Sequence, residues 1–226
     1  MEFKIKRNPY GTKSLYSKSS ISFDPGLTVL VGPNGSGKST LLRQLKRKLE
    51  EAGEVLVYFD NLRDGGRTST ANALYRNDFN FAASTFNASE GEVINQNLNL
   101  VVGRIGGAIR KVFGGEEEKR VFVLLDAIDS GLSVDNIVEM KDFLTDTVFP
   151  DAEDKGVEVY VIAAANEYEL CRGSRCLDVK HMEYVVFGDY EEYRKFILGC
   201  SKKKKVRKAG GKHDNRSTND KTGDLS

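Results

Sequence analysis

The sequence lacks several features that would point to particular classes of protein. It contains no tryptophan, four prolines and three cysteines among 226 residues. Because the cysteines are odd in number and irregularly spaced, a disulfide framework is not expected and a reducing compartment is favoured. No apolar run approaches the roughly 20 residues that a membrane-spanning helix needs. The N-terminus is polar and charged rather than signal-like. These absences predict a soluble intracellular chain, long enough to close its own core.

The chain also has little net charge, since its formal charge at pH 7 is +1. This average hides an uneven distribution. Residues 201–226 hold nine Lys and Arg residues against three Asp residues, a net charge of +6, and residues 1–200 carry −5. The apolar pattern also ends near residue 199. We therefore expect a folded domain over residues 1–200 and a basic, disordered tail over residues 201–226.

The first 200 residues contain an alternation of strand-like and helix-like segments. This alternation predicts an α/β fold with a mainly parallel sheet flanked by helices, and a small antiparallel β element at the N-terminus. The predicted strands cover residues 2–6, 20–23, 27–31, 54–59, 120–126, 157–165 and 184–187. The predicted helices follow a glycine-rich loop at residues 32–37, begin near Ser89 and Ser133, and cover residues 189–198. Pro150 is expected to end the third of them.

Residues 32–39, GPNGSGKS, fit the P-loop pattern and lie between a predicted strand and a predicted helix. Glycines let backbone N–H groups curl around phosphate oxygens, and the helix N-terminus adds positive potential. Lys38 can bridge the β- and γ-phosphates, and the Ser39 hydroxyl can hold Mg²⁺. We therefore predict a P-loop NTPase that binds ATP with Mg²⁺. The predicted binding residues of this loop are Gly32, Pro33, Asn34, Gly35, Ser36, Gly37, Lys38, Ser39 and Thr40.

A second motif is the apolar strand VFVLLD at residues 121–126, which ends in a carboxylate. Open α/β sheets place their ligands at the carboxyl ends of the strands. Asp126 would hold Mg²⁺ there through water, so Ser39 and Asp126 form the predicted metal site. Cys171, Cys176 and His181 could form part of a zinc site, but no fourth ligand lies at finger-like spacing, and buried thiols are the better interpretation.

Three segments together resemble the ATPase core of the ABC superfamily: residues 32–40, residues 88–92 (ASEGE) and residues 124–133 (LLDAIDSGLS). The resemblance implies that residues 1–200 form an ABC-like P-loop ATPase domain. The phrase FDPGLTVLV at residues 23–31 is more similar to the chromosome-maintenance and RecF-like branch than to transporter subunits. The resemblance implies that Ser89 and Gly91 belong to a signature that contacts ATP across an ATP-dependent homodimer. Ser89 is equally typical of a helix cap, because Glu92 lies three residues further on.

The sequence departs from the family's pattern at three positions. Ala127 replaces the general-base glutamate, so hydrolysis should be slow unless Asp129 or a partner's carboxylate substitutes. Asn166 stands where the switch histidine is expected. The glutamine that contacts Mg²⁺ has no equivalent, and Asn77 is a weak substitute. The resemblance therefore implies intact ATP binding with compromised turnover. The catalytic set implied by it is Lys38, Asp126, Asp129 and Asn166.

Four functions stay open at this point. The leading one is a slow ATPase that dimerises on Mg–ATP and acts as a nucleotide switch, with nucleic acid as a further partner. The second is an ATP-binding scaffold or regulator that does not hydrolyse ATP. The third is the ATP-binding subunit of a transporter, which would need a membrane partner that nothing in the sequence indicates. The fourth is a P-loop kinase with an acceptor site in residues 60–80.

The basic tail suits a phosphate-backbone ligand, RNA, an anionic membrane surface or, in a nucleated host, nuclear import; otherwise the chain is expected in the cytoplasm. It contains no aromatic residue, so nucleic-acid binding by the tail should tolerate any base sequence and weaken with salt. A merely solvated tail is the alternative. The residues expected to contact phosphates are Lys202, Lys203, Lys204, Lys205, Arg207 and Lys208.

Overall fold

A computed structural model describes the backbone of residues 1–11, 13–60, 90–115, 119–130 and 132–210. Side chains are described for the same residues except 90–100 and 201–210. The described chain begins with an antiparallel pair of strands, β1 (Glu2–Lys4) and β2 (Ser20–Ser22). This pair is separate from the main sheet, which has six strands in the described residues.

The main sheet has the strand order β4-β5-β6-β3-β7-β8. Neighbouring strands are parallel except β7 and β8, which are antiparallel. The predicted α/β fold, with a mainly parallel sheet and a small antiparallel N-terminal element, is therefore confirmed. The strands are β3 (Gly26–Val31), β4 (Val55–Asp60), β5 (Arg120–Asp126), β6 (Glu158–Ala164), β7 (Arg175–Asp178) and β8 (Glu183–Val185).

Helices cover both faces of the sheet, as buried parallel strands require. On one face, Leu41 and Leu45 of the first helix pack with Phe122, Ile162 and the N-terminal strand pair. On the other face, Ile105 of the second helix and Tyr193 of the last helix belong to a separate apolar cluster. The helices are α1 (Lys38–Glu51), α2 (Glu90–Phe113), α3 (Val134–Phe143), α4 (Phe149–Asp154), α5 (Tyr168–Cys171) and α6 (Tyr190–Gly210). In the part of the chain described, no helix combines the length and apolarity needed to cross a bilayer.

Two predicted helix ends were wrong. Pro150 does not end a helix, because a π-helical turn, Leu144–Val148, joins α3 directly to α4, and Pro150 lies in the first turn of α4. The π-helical turn directly before Pro150 interrupts the regular hydrogen bonding to the fourth preceding residue, which a proline cannot make. The last helix does not end at Leu198 but continues to Gly210. Lys and Arg are good helix formers, and residues 200–209 contain neither Gly nor Pro.

The helical backbone of residues 201–210 therefore replaces the disorder expected at the start of the tail. Residues 211–226 lie outside the described residues, and the domain boundary at residue 200 stays a prediction. Two short elements, α5 and β7, were not predicted at all. β7 is a largely buried strand of four residues, RCLD, none of them β-branched or aromatic, so its sequence does not indicate a strand.

Candidate nucleotide-binding site

A cavity of about 690 Å³ opens at the carboxyl ends of β3, β5 and β6. The P-loop and the first turn of α1 form one side of it, and the loops that follow β5 and β6 form the other. The predicted catalytic residues Lys38, Asp126, Asp129 and Asn166 all line this cavity. The other lining residues are Asn34, Gly35, Ser36, Gly37, Ser39, Thr40, Arg43, Ala127, Ser130 and Ala164. Residues far apart in the sequence thus meet in one concave site.

Two glycines give the P-loop a backbone shape that other residues would not allow. Gly32 has a φ of +144° and Gly37 a φ of +107°, both in the left-handed half of conformational space. A Cβ on Gly32 would lie 2.8 Å from Ser36 Oγ, and one on Gly37 would lie 2.7 Å from Leu15 Cδ2. Both positions therefore require glycine for conformational and steric reasons.

The loop has unsatisfied hydrogen-bonding groups that suit phosphate oxygens. The Ser36 hydroxyl is buried and has no hydrogen-bond partner within the described residues. Leaving such a group unpaired costs about 1–3 kcal/mol. The N-terminal N–H groups of α1, which starts at Lys38 beside the cavity, have no intrahelical acceptors and carry a partial positive charge. This donor set fits an anionic phosphate group.

Lys38 lies across the cavity. Its Nζ donates to the Gly32 carbonyl oxygen at 2.6 Å and to Asn166 Oδ1 at 2.9 Å. Burial lowers the pKa of Lys38, while the carboxylates of Asp129 and Asp126 oppose the shift. A bound phosphate would favour the charged form of this lysine further.

Ser39 and Asp126 meet at the position predicted for Mg²⁺. Ser39 Oγ donates to Asp126 Oδ1 at 2.9 Å, and Asp126 is buried. Burial raises the pKa of Asp126, the neighbouring Asp60 adds to the increase, and the Ser39 hydrogen bond opposes it. Mg²⁺ prefers oxygen ligands and commonly uses one or two protein groups, with phosphates and water completing the shell. The Ser39 and Asp126 oxygens therefore fit this ion.

Asp60 lies beside Asp126 at the edge of the site and was not identified from the sequence. It ends β4 and pairs in register with Asp126 at the end of β5, so the two side chains share one face of the sheet. The signal was available, because VLVYFD at residues 55–60 shows the same apolar strand ending in Asp that identified Asp126.

The loop after β5 begins with a residue in a left-handed backbone conformation. Ala127 has a φ of +52°, which is rare outside glycine, and it presents only a methyl group to the cavity. Asp129 also lines the cavity and accepts a hydrogen bond from the Asn166 backbone N–H at 2.5 Å. Asp129 therefore provides this loop with a carboxylate at the cavity, whereas Ala127 provides none.

The N-terminal segment supports the P-loop through contacts that no sequence motif marks. Tyr16, which is buried, donates its hydroxyl to the Gly37 carbonyl oxygen at 3.0 Å. Tyr10 is hydrogen-bonded to Thr40 Oγ1 at 3.1 Å and accepts from Arg43 at 3.3 Å. The P-loop and the first turn of α1 thus contact residues that lie between 21 and 33 positions earlier in the chain.

The remaining predicted residues lie elsewhere or outside the described part. Ser89 and Asn77 are not among the described residues, and Gly91 is described only as backbone in the first turn of α2. Cys171 and Cys176 are buried thiols, as the better interpretation held. His181 Nδ1 lies 2.5 Å from Asp178 Oδ2. Within the described ranges, no three or more His, Cys, Asp or Glu side chains are placed to share a metal ion.

Comparison with known proteins bears on the P-loop part of the chain. Residues 11–97 match the family described as AAA domain. A stretch of 54 residues is 46% identical to the chromosome partition protein Smc of Mycobacterium leprae, and equally to that of Mycolicibacterium paratuberculosis. The resemblance to an SMC-like AAA ATPase is confirmed. The P-loop, residues 32–39, lies within the stretch that matches this family.

The similarity is partial in length. The matched stretch is 24% of this chain and spans only 4% of the length of each Smc protein. Among solved structures, Cdc6p from Pyrobaculum aerophilum aligns with a TM-score of 0.35 and 15% identity over 66% of this chain and 35% of that chain. The family match ends at residue 97, before Asp126, Ala127 and Asn166.

Proposed function

We propose that the chain is a Mg–ATP-dependent switch that dimerises when ATP is bound and hydrolyses it slowly. The observation that carries this proposal is the convergence of Lys38, Ser39 and Asp126 on one cavity at the N-terminus of α1. Phosphate-binding donors and a cation site are thereby held side by side. A nucleoside triphosphate with its metal ion needs both.

The proposal gives roles to the P-loop, Lys38, Ser39 and Asp126. The P-loop N–H groups and the Ser36 hydroxyl bind phosphate oxygens, and Lys38 exchanges its protein acceptors for the β- and γ-phosphates. Ser39 and Asp126 hold Mg²⁺. When bound, the ion would neutralise the charge that develops on the phosphates.

Slow hydrolysis follows from Ala127, which has no group that accepts a proton. Positioned proton transfer contributes about 10²- to 10⁴-fold to a reaction rate. Asp129, which lines the same cavity, is the nearest candidate for a replacement base in this loop. We expect Ala127→Glu to raise multiple-turnover phosphate release several-fold, whereas Ala127→Gln, which matches its size without basicity, should not. An unchanged or lower rate for Ala127→Glu would show that position 127 does not face the attacking water.

Dimerisation is proposed from the family resemblance, in which the Ser89 helix of one copy faces the ATP of the other. The test is the molecular mass in solution, measured by light scattering with and without Mg–ATP. The wild-type chain of 25.1 kDa should double in mass when ATP is present. Lys38→Ala should stay monomeric, and Lys18→Ala, an exposed lysine paired with Glu183, should behave as wild type. A mass that is independent of nucleotide would contradict the switch.

The second candidate is an ATP-binding scaffold that does not hydrolyse ATP. Ala127 favours it, because the cavity is complete for binding but lacks a carboxylate at that position. A multiple-turnover phosphate-release assay separates the two functions. The scaffold predicts no release even with partners and DNA, whereas the switch predicts slow release that Lys38→Ala abolishes.

A further inference from the structure

Asn166 is held by hydrogen bonds to three different elements of the fold. Its backbone N–H donates to Asp129 Oδ2 at 2.5 Å, and its backbone carbonyl accepts from the Tyr193 hydroxyl at 2.5 Å. Its side-chain Oδ1 accepts from Lys38 Nζ at 2.9 Å. Asn166 itself is exposed, so these polar contacts rather than apolar packing determine its position.

Tyr193 approaches Asn166 from the face of the sheet opposite α1. It lies in the first turn of α6 and is buried in the apolar cluster that covers the second face of the sheet. Its ring packs against Phe187 at 5.3 Å and against Tyr168 at 5.7 Å, measured between ring centroids. Packing therefore fixes the ring, and the hydroxyl is directed at the Asn166 carbonyl.

The Tyr193 phenol acts as a donor over the working pH range. Burial raises the pKa of this phenol above its ordinary value of 10.0, and nearby acidic groups raise it further. The hydroxyl thus stays protonated, and the Asn166 carbonyl is its acceptor.

We propose that Tyr193 is a positioning residue that sets the Asn166 amide against the γ-phosphate, so that α6 controls discrimination between ATP and ADP. This inference rests on the proposed function. When the phosphates of ATP recruit Lys38 Nζ, Asn166 Oδ1 loses that donor, and the side chain can turn to direct its amide N–H groups at a γ-phosphate oxygen. ADP has no γ-phosphate, so only ATP binding depends on the orientation of Asn166.

The test compares the ATP and ADP affinities of three proteins in the presence of Mg²⁺. Tyr193→Phe keeps the ring and removes the hydroxyl. Tyr168→Phe is the matched control, because Tyr168 packs in the same aromatic group. Loss of one hydrogen bond predicts about fivefold weaker ATP binding for Tyr193→Phe with unchanged ADP binding, and no change in either affinity for Tyr168→Phe.

A double-mutant cycle with Asn166→Ala separates positioning from general structural damage. Tyr193→Phe should have no further effect once the Asn166 amide is absent. Equal weakening of ATP and ADP, or the same loss in the Asn166→Ala background, would overturn the role of Tyr193. If Tyr193→Phe does not fold, Asn166→Ala alone remains the test, and equal weakening of ATP and ADP binding by Asn166→Ala would overturn the role of the Asn166 amide. A wild-type chain that binds neither nucleotide would instead overturn the proposed function itself.

Discussion

The charged groups of the site are held away from water before any ligand arrives. Burial lowers the pKa of Lys38 and raises the pKa of Asp126, so both shifts disfavour the charged forms that phosphate and Mg²⁺ require. A triphosphate and a cation would supply the opposite charges. The ligand-free site is therefore less stable than the same fold with neutral groups would be, a common trade between stability and function.

Asp126→Asn should stabilise the ligand-free protein at neutral pH and abolish Mg-dependent nucleotide binding. The folded-state pKa of Asp126 lies above its ordinary value of 3.8, so the folded state binds the proton more tightly than the unfolded state. The destabilisation by the carboxylate is complete above the folded pKa and absent below the ordinary one. Urea unfolding should show the gain at about pH 7 and lose it at about pH 3.

A control of opposite sign is available at Asp135, in the first turn of α3. Hydrogen bonding to Ser133 lowers the pKa of this exposed carboxyl, so Asp135→Asn should reduce stability at neutral pH. If Asp126→Asn also lowered the urea midpoint at neutral pH, the buried carboxylate would be favourable in the ligand-free fold, contrary to the pKa direction.

Among the individual site residues, those that belong to local motifs were predicted from the sequence. Lys38 and Ser39 were identified by P-loop spacing, and Asp126 by the end of an apolar strand. Tyr16 and Tyr193 were not identified, because their roles depend on which segments the fold brings against Gly37 and Asn166. A lone tyrosine in a sequence carries no signal of that kind.

Among the elements, α1 is in direct contact with the N-terminal segment at Gly37, through Leu15 and Tyr16. Gly37 is the N-cap of α1, and its Cα faces the Leu15 side chain and the Tyr16 ring. The Tyr16 hydroxyl bonds its carbonyl. The start of the helix, and with it the direction of Lys38 and Ser39, is thus set by a segment that precedes β2.

Gly37→Ala tests this contact against Gly53→Ala. Both glycines have positive φ, but an added Cβ meets Leu15 Cδ2 at 2.7 Å in the first case and nothing within 4 Å in the second. Gly53→Ala should cost about 1 kcal/mol from conformation alone. Gly37→Ala should cost about 1–3 kcal/mol more from overpacking, as measured by urea unfolding, and should weaken ATP binding. Equal losses in the two variants would show that Leu15 moves aside freely.

Elements were predicted where periodicity was long enough to identify them. The strand Arg120–Asp126 was predicted with the bounds that it has, and α2 begins one residue after the predicted start at Ser89. The continuation through Pro150 was missed because a proline inside a helical pattern ordinarily indicates a helix end, and nothing in the local sequence indicated the π-helical turn before it. β7 was missed because its four residues, RCLD, include no β-branched or aromatic residue that would indicate a strand.

For the whole molecule, the charge asymmetry has a structural counterpart in α6. The helix anchors Tyr193 in the core and continues into the lysine-rich run, so the body of net charge −5 and the basic segment share one element. A phosphate-backbone ligand for that segment is a proposal. Since counterion release governs such binding, its affinity should fall steeply with salt.

Truncation after Cys200 should remove most of any DNA or RNA affinity, because it removes the +6 segment but keeps the core contacts of Tyr193. A full-length variant with Lys202, Lys203, Lys204 and Lys205 changed to Gln is the matched control for length. It should lose affinity and reduce the salt slope by about 4 for B-DNA. Nucleic-acid binding that survives truncation undiminished would place the contact on the acidic body instead.

Binding of Mg–ATP at Lys38, Ser39 and Asp126 is tested most directly by isothermal titration calorimetry of the full chain. The wild-type protein should bind one ATP per chain in a Mg²⁺-dependent manner. Lys38→Ala should bind about 10- to 100-fold more weakly, because a charge-assisted contact to the phosphates is lost, and Lys18→Ala should match wild type. Absence of ATP binding by the wild-type chain, or equal binding by Lys38→Ala, would contradict the site.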